Sequence, residues 1–373
     1  MINNFFKSLS EIKKFSKINI DYKKVVFFSE NNNYSYFFKA VIDRLILEGI
    51  KITLVTADKD DIFLKYNNPN LKIICIPNFV ILQYFFSSLK CKNLILTMPD
   101  LGNGIINKSP FCEKYIYIFH SLISINVAYK EKSFNNYDIF FSPTSIHTKE
   151  IQRKFNNSNK NIIEVGYPKI EELKKELINI EQMNSILIAP TWGNDSALYS
   201  KELINIIEQL IKNKINIVFR PHPMSFKKDK KKIEEILSKF KWYENFKLNN
   251  DKDNNRVILS AKVLITDWSG AAMEFSLAKE KPSLFIDTNQ RIRNNSIRKD
   301  DKILKETFEY VCRNELGVIL NNKNIFNISE IFEDFYKNQN YYKNKIINFK
   351  KKFLYNNEKS LEKTILNIIK LIN

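Results

Sequence analysis

Cysteine is scarce: Cys75, Cys91, Cys112 and Cys312 are the only four in a chain of 373 residues. They are too scattered for a zinc knuckle or a CxxC redox pair, and too few to staple a chain of this length, so a reducing, cytosolic setting is expected. No leader is expected either. The opening stretch, MINNFFKSLSEIKKFSKINI, mixes Lys with apolar residues and has no unbroken apolar core followed by small residues, so no secretory signal is read there. No run is apolar enough for a membrane span: the longest uncharged stretch lies between Lys72 and Lys90 and holds Pro77, which suits a buried strand and helix. There is no GxxxxGK[ST] loop and no GxGxxG after the first strand, which argues against a Walker-type NTPase and a dinucleotide oxidoreductase. An RNP aromatic pair, a zinc finger and a helix-turn-helix are all missing, so nucleic acid is not an expected partner. Internal repeats are absent, and low complexity is confined to KKDKKK, Lys227 to Lys232.

What is present is a chain rich in core-forming residues. With 44% hydrophobic residues, 29 Phe and 17 Tyr it can bury a core, and its length allows two domains. Against 41 Asp and Glu stand 59 Lys and Arg, a formal net charge of +18. Lys and Asn are spread along the whole chain, as a compositional bias would leave them, so many lysines need no specific role. The balance nonetheless favours anionic partners: phosphate-bearing substrates or an acidic membrane surface.

Short β-branched or aromatic runs alternate with longer amphipathic stretches, the rhythm of βαβ units. Strands are expected at Lys24 to Ser29, Ile52 to Ala57, Lys72 to Ile76, Asn93 to Met98, Tyr115 to His120, Asp138 to Ser142 and Ile162 to Gly166. A second series is expected at Ser185 to Trp192, Asn216 to His222, Val263 to Trp268, Pro282 to Asp287 and Gly317 to Leu320. Near-continuous apolar strands of this kind belong to parallel sheets covered on both faces. The fold class is therefore α/β with two Rossmann-like domains. The expected division is residues 1–166, a charged linker at 167–184, a second domain at 185–340, and a single long helix in the tail, Tyr341 to Asn373.

Ligands of open parallel sheets bind beyond the carboxyl ends of the strands, and two facing domains would place a site in the cleft between them. His120 ends YIYIFH and His222 ends NIVFRPH, each at a strand end in a different half. His147, in SPTSIHTKEI, falls on an exposed first turn of a helix and is the weaker candidate. In RPHP the two prolines stiffen the backbone around His222 and Arg220, an arrangement suited to phosphate oxygens or simply to a rigid strand-to-helix corner. In TDWSGAAMEF a strand gives way to a helix at Ser269 and Gly270, offering free amides and a helix N-terminus to an anion; an ordinary helix cap is the lesser alternative. APTWG adds Thr191 and Trp192 at a third strand end. The DKD at Asp251 to Asp253 has DxD spacing but sits in an Asn-rich stretch and reads as a solvated loop.

The ordered set FHS (Phe119 to Ser121), VGYPKIEEL, APTWG, RPHP, TDWSG and EKPSLFID resembles the CDP-glycerol glycerophosphotransferases of teichoic-acid and capsule polymer synthesis. That resemblance implies a GT-B architecture, a cytidine diphosphate donor held by the C-terminal domain, and transfer of glycerol phosphate to a polymer hydroxyl with release of CMP. It implies His120 as the catalytic base, at the family's WHG histidine, with Ser121 beside it on the acceptor side. His222 falls at the RPHP histidine near the donor phosphates. Arg220, Thr191, Trp192, Thr266, Asp267, Ser269, Gly270 and Glu274 fall on the donor side. The chain departs from the family pattern where WHGTPLK becomes FHSLISI, APTFR becomes APTWG without the Arg, and the second Ser of TDYSS becomes Gly270.

Such a reaction needs a base for the acceptor hydroxyl and donors for the leaving CMP, and these residues supply both, so no cofactor and no obligatory metal is expected. Expected partners are a CDP-alditol donor and an anionic or lipid-linked acceptor. In RIRNNSIRK, Arg291 and Arg293 are candidates for gripping that acceptor, or lie in a solvated loop. Two other readings stay open: a GT-B glycosyltransferase using a nucleotide sugar, and a non-catalytic binder of anionic polymers or membranes. The first helix is expected to put Phe5, Phe6, Leu9, Ile12 and Phe15 on one side and Lys7, Lys13, Lys14 and Lys17 on the other. That pattern serves either the cytoplasmic face of an acidic membrane or packing onto the N-terminal domain.

Overall fold

A computed structural model describes the chain apart from residues 1, 104–105, 157–159, 251–253 and 373. The DKD stretch therefore lies outside the described residues. The chain divides into two compact units, the first made of Met1–Ser121, Tyr129–Lys169 and Leu354–Asn373, the second of Leu122–Ala128 and Ile170–Phe353.

The first unit is built on seven strands: β1 (Val25–Ser29), β2 (Ile52–Thr56), β3 (Leu71–Cys75), β4 (Cys91–Leu96), β5 (Cys112–Ile118), β6 (Ile139–Ser142) and β7 (Asn161–Glu164). They form one sheet in the order β3-β2-β1-β4-β5-β6-β7, every pair parallel. β1 and β2 are buried at all five positions, as a sheet covered on both faces requires. The chain reverses its direction of travel across the sheet between β1 and β4. Such a switch point opens a crevice at the carboxyl ends of the strands.

The second unit repeats the plan with β8 (Ile186–Ile188), β9 (Ile217–Phe219), β10 (Phe246–Leu248), β11 (Val263–Thr266), β12 (Ser283–Ile286) and β13 (Gly317–Leu320). The order is β10-β9-β8-β11-β12-β13, again all parallel, with the switch between β8 and β11. The helix Lys201–Lys212 shows how the covering layer forms. Leu203, Ile206, Ile207 and Leu210 recur at helical spacing and are all fully buried against this sheet, while Ser200 caps the helix at the Leu203 amide. Two Rossmann-like units of this kind make the GT-B fold.

Three expectations need correction. β10 was not expected: it is a three-residue edge strand with Lys247 and Leu248 exposed, so it carries no apolar run. The tail is two helices, Gln339–Phe353 and Ser360–Ile372, rather than one. Between them Asn356 and Glu358 take left-handed backbone angles, and Leu354 bridges to Thr144, which breaks the helix and turns its second half onto the first unit. His147 is buried rather than exposed, with its ring against Phe119 and its Nδ1 2.7 Å from the Thr144 hydroxyl. All four cysteines are buried free thiols.

Candidate active site

In the second unit the candidate donor residues gather at the switch point. Asp267, just past β11, is fully buried and turns its carboxylate onto the chain leaving β8. It accepts the Thr191 amide at 2.9 Å, the Thr191 hydroxyl at 2.7 Å and the Ala197 amide at 2.8 Å. Thr266, also buried, donates its hydroxyl to the Ala189 carbonyl at 2.6 Å. These two residues bind the chain after β8 to that after β11. Glu274 is likewise buried, inside the helix Gly270–Lys279.

The partly open residues around them are those able to meet a ligand: Thr191, Trp192, His222, Ser269, Gly270, Arg291 and Arg293. Ser269 caps the helix, accepting the Ala271 amide at 3.2 Å, which leaves its O–H to donate outward. His222 accepts the Met224 amide on Nδ1 at 3.1 Å. A ring nitrogen that accepts carries no proton, so neutral His222 bears its hydrogen on Nε2. Burial, then the charges of Arg220 and Arg291, hold its pKa down at about 4, so the ring is neutral at physiological pH.

Arg291 and Arg293, expected from the sequence to grip the acceptor or to lie in a solvated loop, flank Trp192. Their guanidinium carbons stand 4.0 and 4.6 Å from the indole centroid, Lys228 Nζ lies at 4.7 Å, and Arg291 Nη1 donates to the Trp192 carbonyl at 3.0 Å. The next residue, Gly193, has φ +90°, and a Cβ there would come within 3.3 Å of Arg291 Nη2. Arg291 therefore fills the space beside the position where the resembling family's APTFR carries its arginine. The neutral His222 ring lies 6.3 Å from the same indole between centroids, so three cationic side chains and one imidazole surround Trp192.

Two residues here escaped the sequence reading. Asp229 accepts the Gly193 amide and the Tyr199 hydroxyl, each at 3.0 Å, and so fixes the APTWG turn. Arg313 is buried, stacks on Trp268 at 4.1 Å and donates to the carbonyls of Asp267 and Ile286 at 2.8 and 3.2 Å. It ties the ends of β11 and β12 together.

In the first unit His120 follows β5. Its Nδ1 lies 3.1 Å from the Thr97 carbonyl, beyond β4, and a carbonyl can only accept. Nδ1 is therefore the protonated nitrogen and Nε2 keeps its lone pair, the opposite tautomer to His222. Burial, followed by the nearby charge of Lys169, lowers its pKa to about 4. The Tyr34 ring meets the imidazole edge-on at 5.2 Å between centroids, and Tyr167 donates its hydroxyl to the His120 carbonyl at 3.0 Å. Glu30, immediately after β1, is pushed up to about 7 by burial and then by the charge of Asp100. Tyr34 and Glu30 sit in no motif that the sequence reading could weigh, while Tyr167 and Lys169 belong to VGYPKIEEL but were given no role there. Ser121 is the last residue of this part of the first unit. Among the described residues no group of three His, Cys, Asp or Glu is placed to hold a metal ion.

Comparisons with known proteins bear on the family and the fold. Residues 11–371 match the family described as CDP-glycerol:poly(glycerophosphate) glycerophosphotransferase, and the chain belongs to that family. A curated relative, the teichoic acid glycerol-phosphate transferase of Staphylococcus aureus, is 22% identical over 177 residues, which cover 42% of this chain and 42% of that protein. The match thus spans less than half the relative's length. Among solved structures the wall teichoic acid polymerase TagF superposes with a TM-score of 0.62 at 19% identity, covering 100% of this chain and 98% of that one. UDP-GlcNAc 2-epimerase of Methanocaldococcus jannaschii gives 0.56 at 14% identity, covering 93% and 99%. At such identities these two likenesses speak to the GT-B fold.

Proposed function

We propose that the protein transfers glycerol phosphate, or a related alditol phosphate, from a CDP-activated donor to a hydroxyl of a cell-surface polymer or its lipid-linked precursor. CMP is the other product. The observation that carries this reading is the pair of opposite histidine tautomers. His120 offers a lone pair on Nε2, as a base must; His222 offers an N–H on Nε2, as a phosphate ligand must.

In the reaction the acceptor oxygen attacks the phosphorus bearing the glycerol while His120 Nε2 takes its proton. The new P–O bond forms as the bond to the CMP phosphate breaks, and the electron pair leaves with CMP. His222, Arg220, Arg291, Arg293, the Ser269 hydroxyl and the N-terminus of the helix Gly270–Lys279 receive that charge. A hydroxyl alone is a poor nucleophile at neutral pH. The low pKa of His120 keeps it deprotonated and ready.

The same reading places the protein against the inner leaflet. The helix Ile2–Lys17 buries Phe15 against Phe85 at 5.0 Å, while Phe5, Phe6 and Leu9 stay exposed. The helix Phe79–Ser88 exposes Phe79, Val80 and Tyr84, and the Asn78 amide donates to Ser8 Oγ at 3.3 Å, which joins the two helices at this patch. A groove of about 420 Å³ reached by the first helix is lined by Lys7, Lys14 and Lys72 and by Glu11, which pairs with Lys14 at 3.3 Å. Apolar side chains beside lysines fit a surface of acidic lipid. Among the described residues no helix is long and apolar enough to cross a membrane.

The test is nucleotide release by purified protein given CDP-glycerol, CDP-ribitol or a panel of nucleotide sugars, with and without a polymer or membrane extract. Acceptor-dependent CMP, lost in His120→Ala and His222→Ala, is expected. A nucleoside diphosphate released from a nucleotide sugar would replace this reading with glycosyl transfer on the same fold.

A further inference from the structure

We infer that Leu122–Ala128 is a strap that sets the catalytic His120 according to the state of the donor site, with Asn294 and Glu309 as its positioning residues. The inference rests on the donor and base assignments proposed above.

The covalent chain supplies the first half of the argument. His120 and Ser121 end a stretch of the first unit, and the next seven residues pack with the second. They do not run there as a solvated loop. Leu122, Ser124, Ile125, Asn126 and Val127 are all buried. The Ser124 amide donates to Glu309 Oε1 at 2.8 Å, and the Ser124 hydroxyl oxygen accepts the amides of Asn126 and Val127 at 3.2 and 3.1 Å. Asn294 Nδ2 donates to the Asn126 carbonyl at 2.8 Å, and the Arg293 amide donates to the Val127 carbonyl at 2.9 Å.

The second half lies in what Arg293 does with its other end. Its side chain stacks on Trp192 beside Arg291. One residue thus has its guanidinium on the donor motif and its amide on the strap. A diphosphate that engages the Arg293 guanidinium acts on a residue whose backbone amide is already tied to the strap. Any shift passes to Val127 and Asn126 through two hydrogen bonds of normal length, and from there along six peptide bonds to His120.

Glu309 anchors the far end. It is fully enclosed, and its Oε2 has no hydrogen-bond partner among the described residues. Burial raises its carboxyl to about 7, so near neutrality it sits between a neutral acceptor and a charged one. A charged acceptor binds the Ser124 amide more strongly than a neutral one. The anchor is therefore adjustable in strength, whereas an ordinary backbone pairing would not be.

The experiment follows His120 directly. Each histidine's rate of carbethoxylation by diethyl pyrocarbonate is read by peptide mass spectrometry, with and without saturating CDP-glycerol, in wild type, Asn294→Ala and Glu309→Gln; His147 serves as the buried reference. In wild type, donor is expected to change the His120 rate at least threefold. In the variants, donor affinity is expected to stay within about twofold of wild type, the His120 response to vanish, and kcat to fall at least tenfold with little change in donor KM. Melting curves establish that each variant is folded; should Asn294→Ala unfold, the near-isosteric Glu309→Gln carries the test. No donor-dependent change at His120 in wild type would overturn the strap, as would variants that keep both the response and kcat. Variants that simply lose donor affinity would also overturn it, because the strap would then be part of the donor site. Failure of the underlying reading looks different: wild type would release no CMP from CDP-glycerol at all.

Discussion

Asp267 holds Thr191 by both of its polar groups, taking the amide on one carboxylate oxygen and the hydroxyl on the other. The second oxygen also accepts the Ala197 amide. Because β8 and β11 are neighbours in the sheet, one carboxylate fixes the chain leaving both of them and holds APTWG and TDWSG together.

Replacing that carboxylate by an amide should therefore show in stability before it shows in chemistry. Asp267→Asn keeps one acceptor oxygen and turns an NH2 toward groups that themselves donate. Leaving buried donors unmatched costs about 1–3 kcal/mol each. For a unit of this size a loss of about 3 kcal/mol lowers the melting temperature by roughly 6–12 °C. Calorimetry would show it, and an unaltered melt would mean that the turn is held by other contacts.

The two low histidine pKa values predict an unusual acid limb. With His120 deprotonated down to about pH 4, kcat/KM should stay flat from neutrality to about pH 5 and fall only below that. His120→Ala should lower kcat by roughly 10²- to 10⁴-fold across the plateau. An acid limb centred near 6.5 would show that the base is exposed to water in the working enzyme.

Glu309 makes stability depend on pH in the opposite sense from a salt-bridged carboxylate. Its folded form keeps the proton up to about 7, whereas the unfolded chain releases it near 4.5. The folded state thus holds more protons between these values. The stabilisation is complete below about 4.5 and is lost as pH rises through 7. Glu309→Gln cannot ionise, so its stability relative to wild type should climb from pH 5 to pH 8. Urea denaturation at those two pH values would decide it; a constant difference would place the carboxyl's pKa near its ordinary value.

The exposed end of the first helix can be tested apart from its buried end. Phe5→Ser together with Phe6→Ser should reduce sedimentation with vesicles containing acidic lipid while leaving the melt unchanged, since both side chains are 40% or more exposed. Phe15→Ser should instead unfold the contact with Phe85. Equal binding by the double variant and wild type would remove the membrane reading of this patch.

Much of the architecture was written in the sequence because buried parallel strands are continuous apolar runs, and VVFFS or ITLVT admit few other uses. β10 was not, because FKL at a sheet edge needs no such run. The break in the tail escaped as well: Asn356 and Glu358 adopt left-handed angles without the glycine that usually marks them. Strand ends pointed to His120, His222 and the TDWSG turn. They did not reveal that Asp267 faces inward, since an aspartate after a strand looks the same whether it serves a ligand or a turn. The destination of Arg291 and Arg293 was equally hidden, for an irregular loop has no periodicity from which its path can be read.

The return of the tail has a bearing on how the chain acquires its shape. Ile365 and Ile368 are buried in the core of the first unit, Lys92 Nζ donates to the Ile372 carbonyl at 2.6 Å, and Asn93 Nδ2 donates to the Leu371 carbonyl at 3.0 Å. A strand made early is thus completed by residues made about 280 positions later. On the ribosome the second unit can close on its own residues while the first still lacks its last helix. The later-made half is then the natural one to finish first, and the unit bearing His120 reaches its final form only after the one bearing His222.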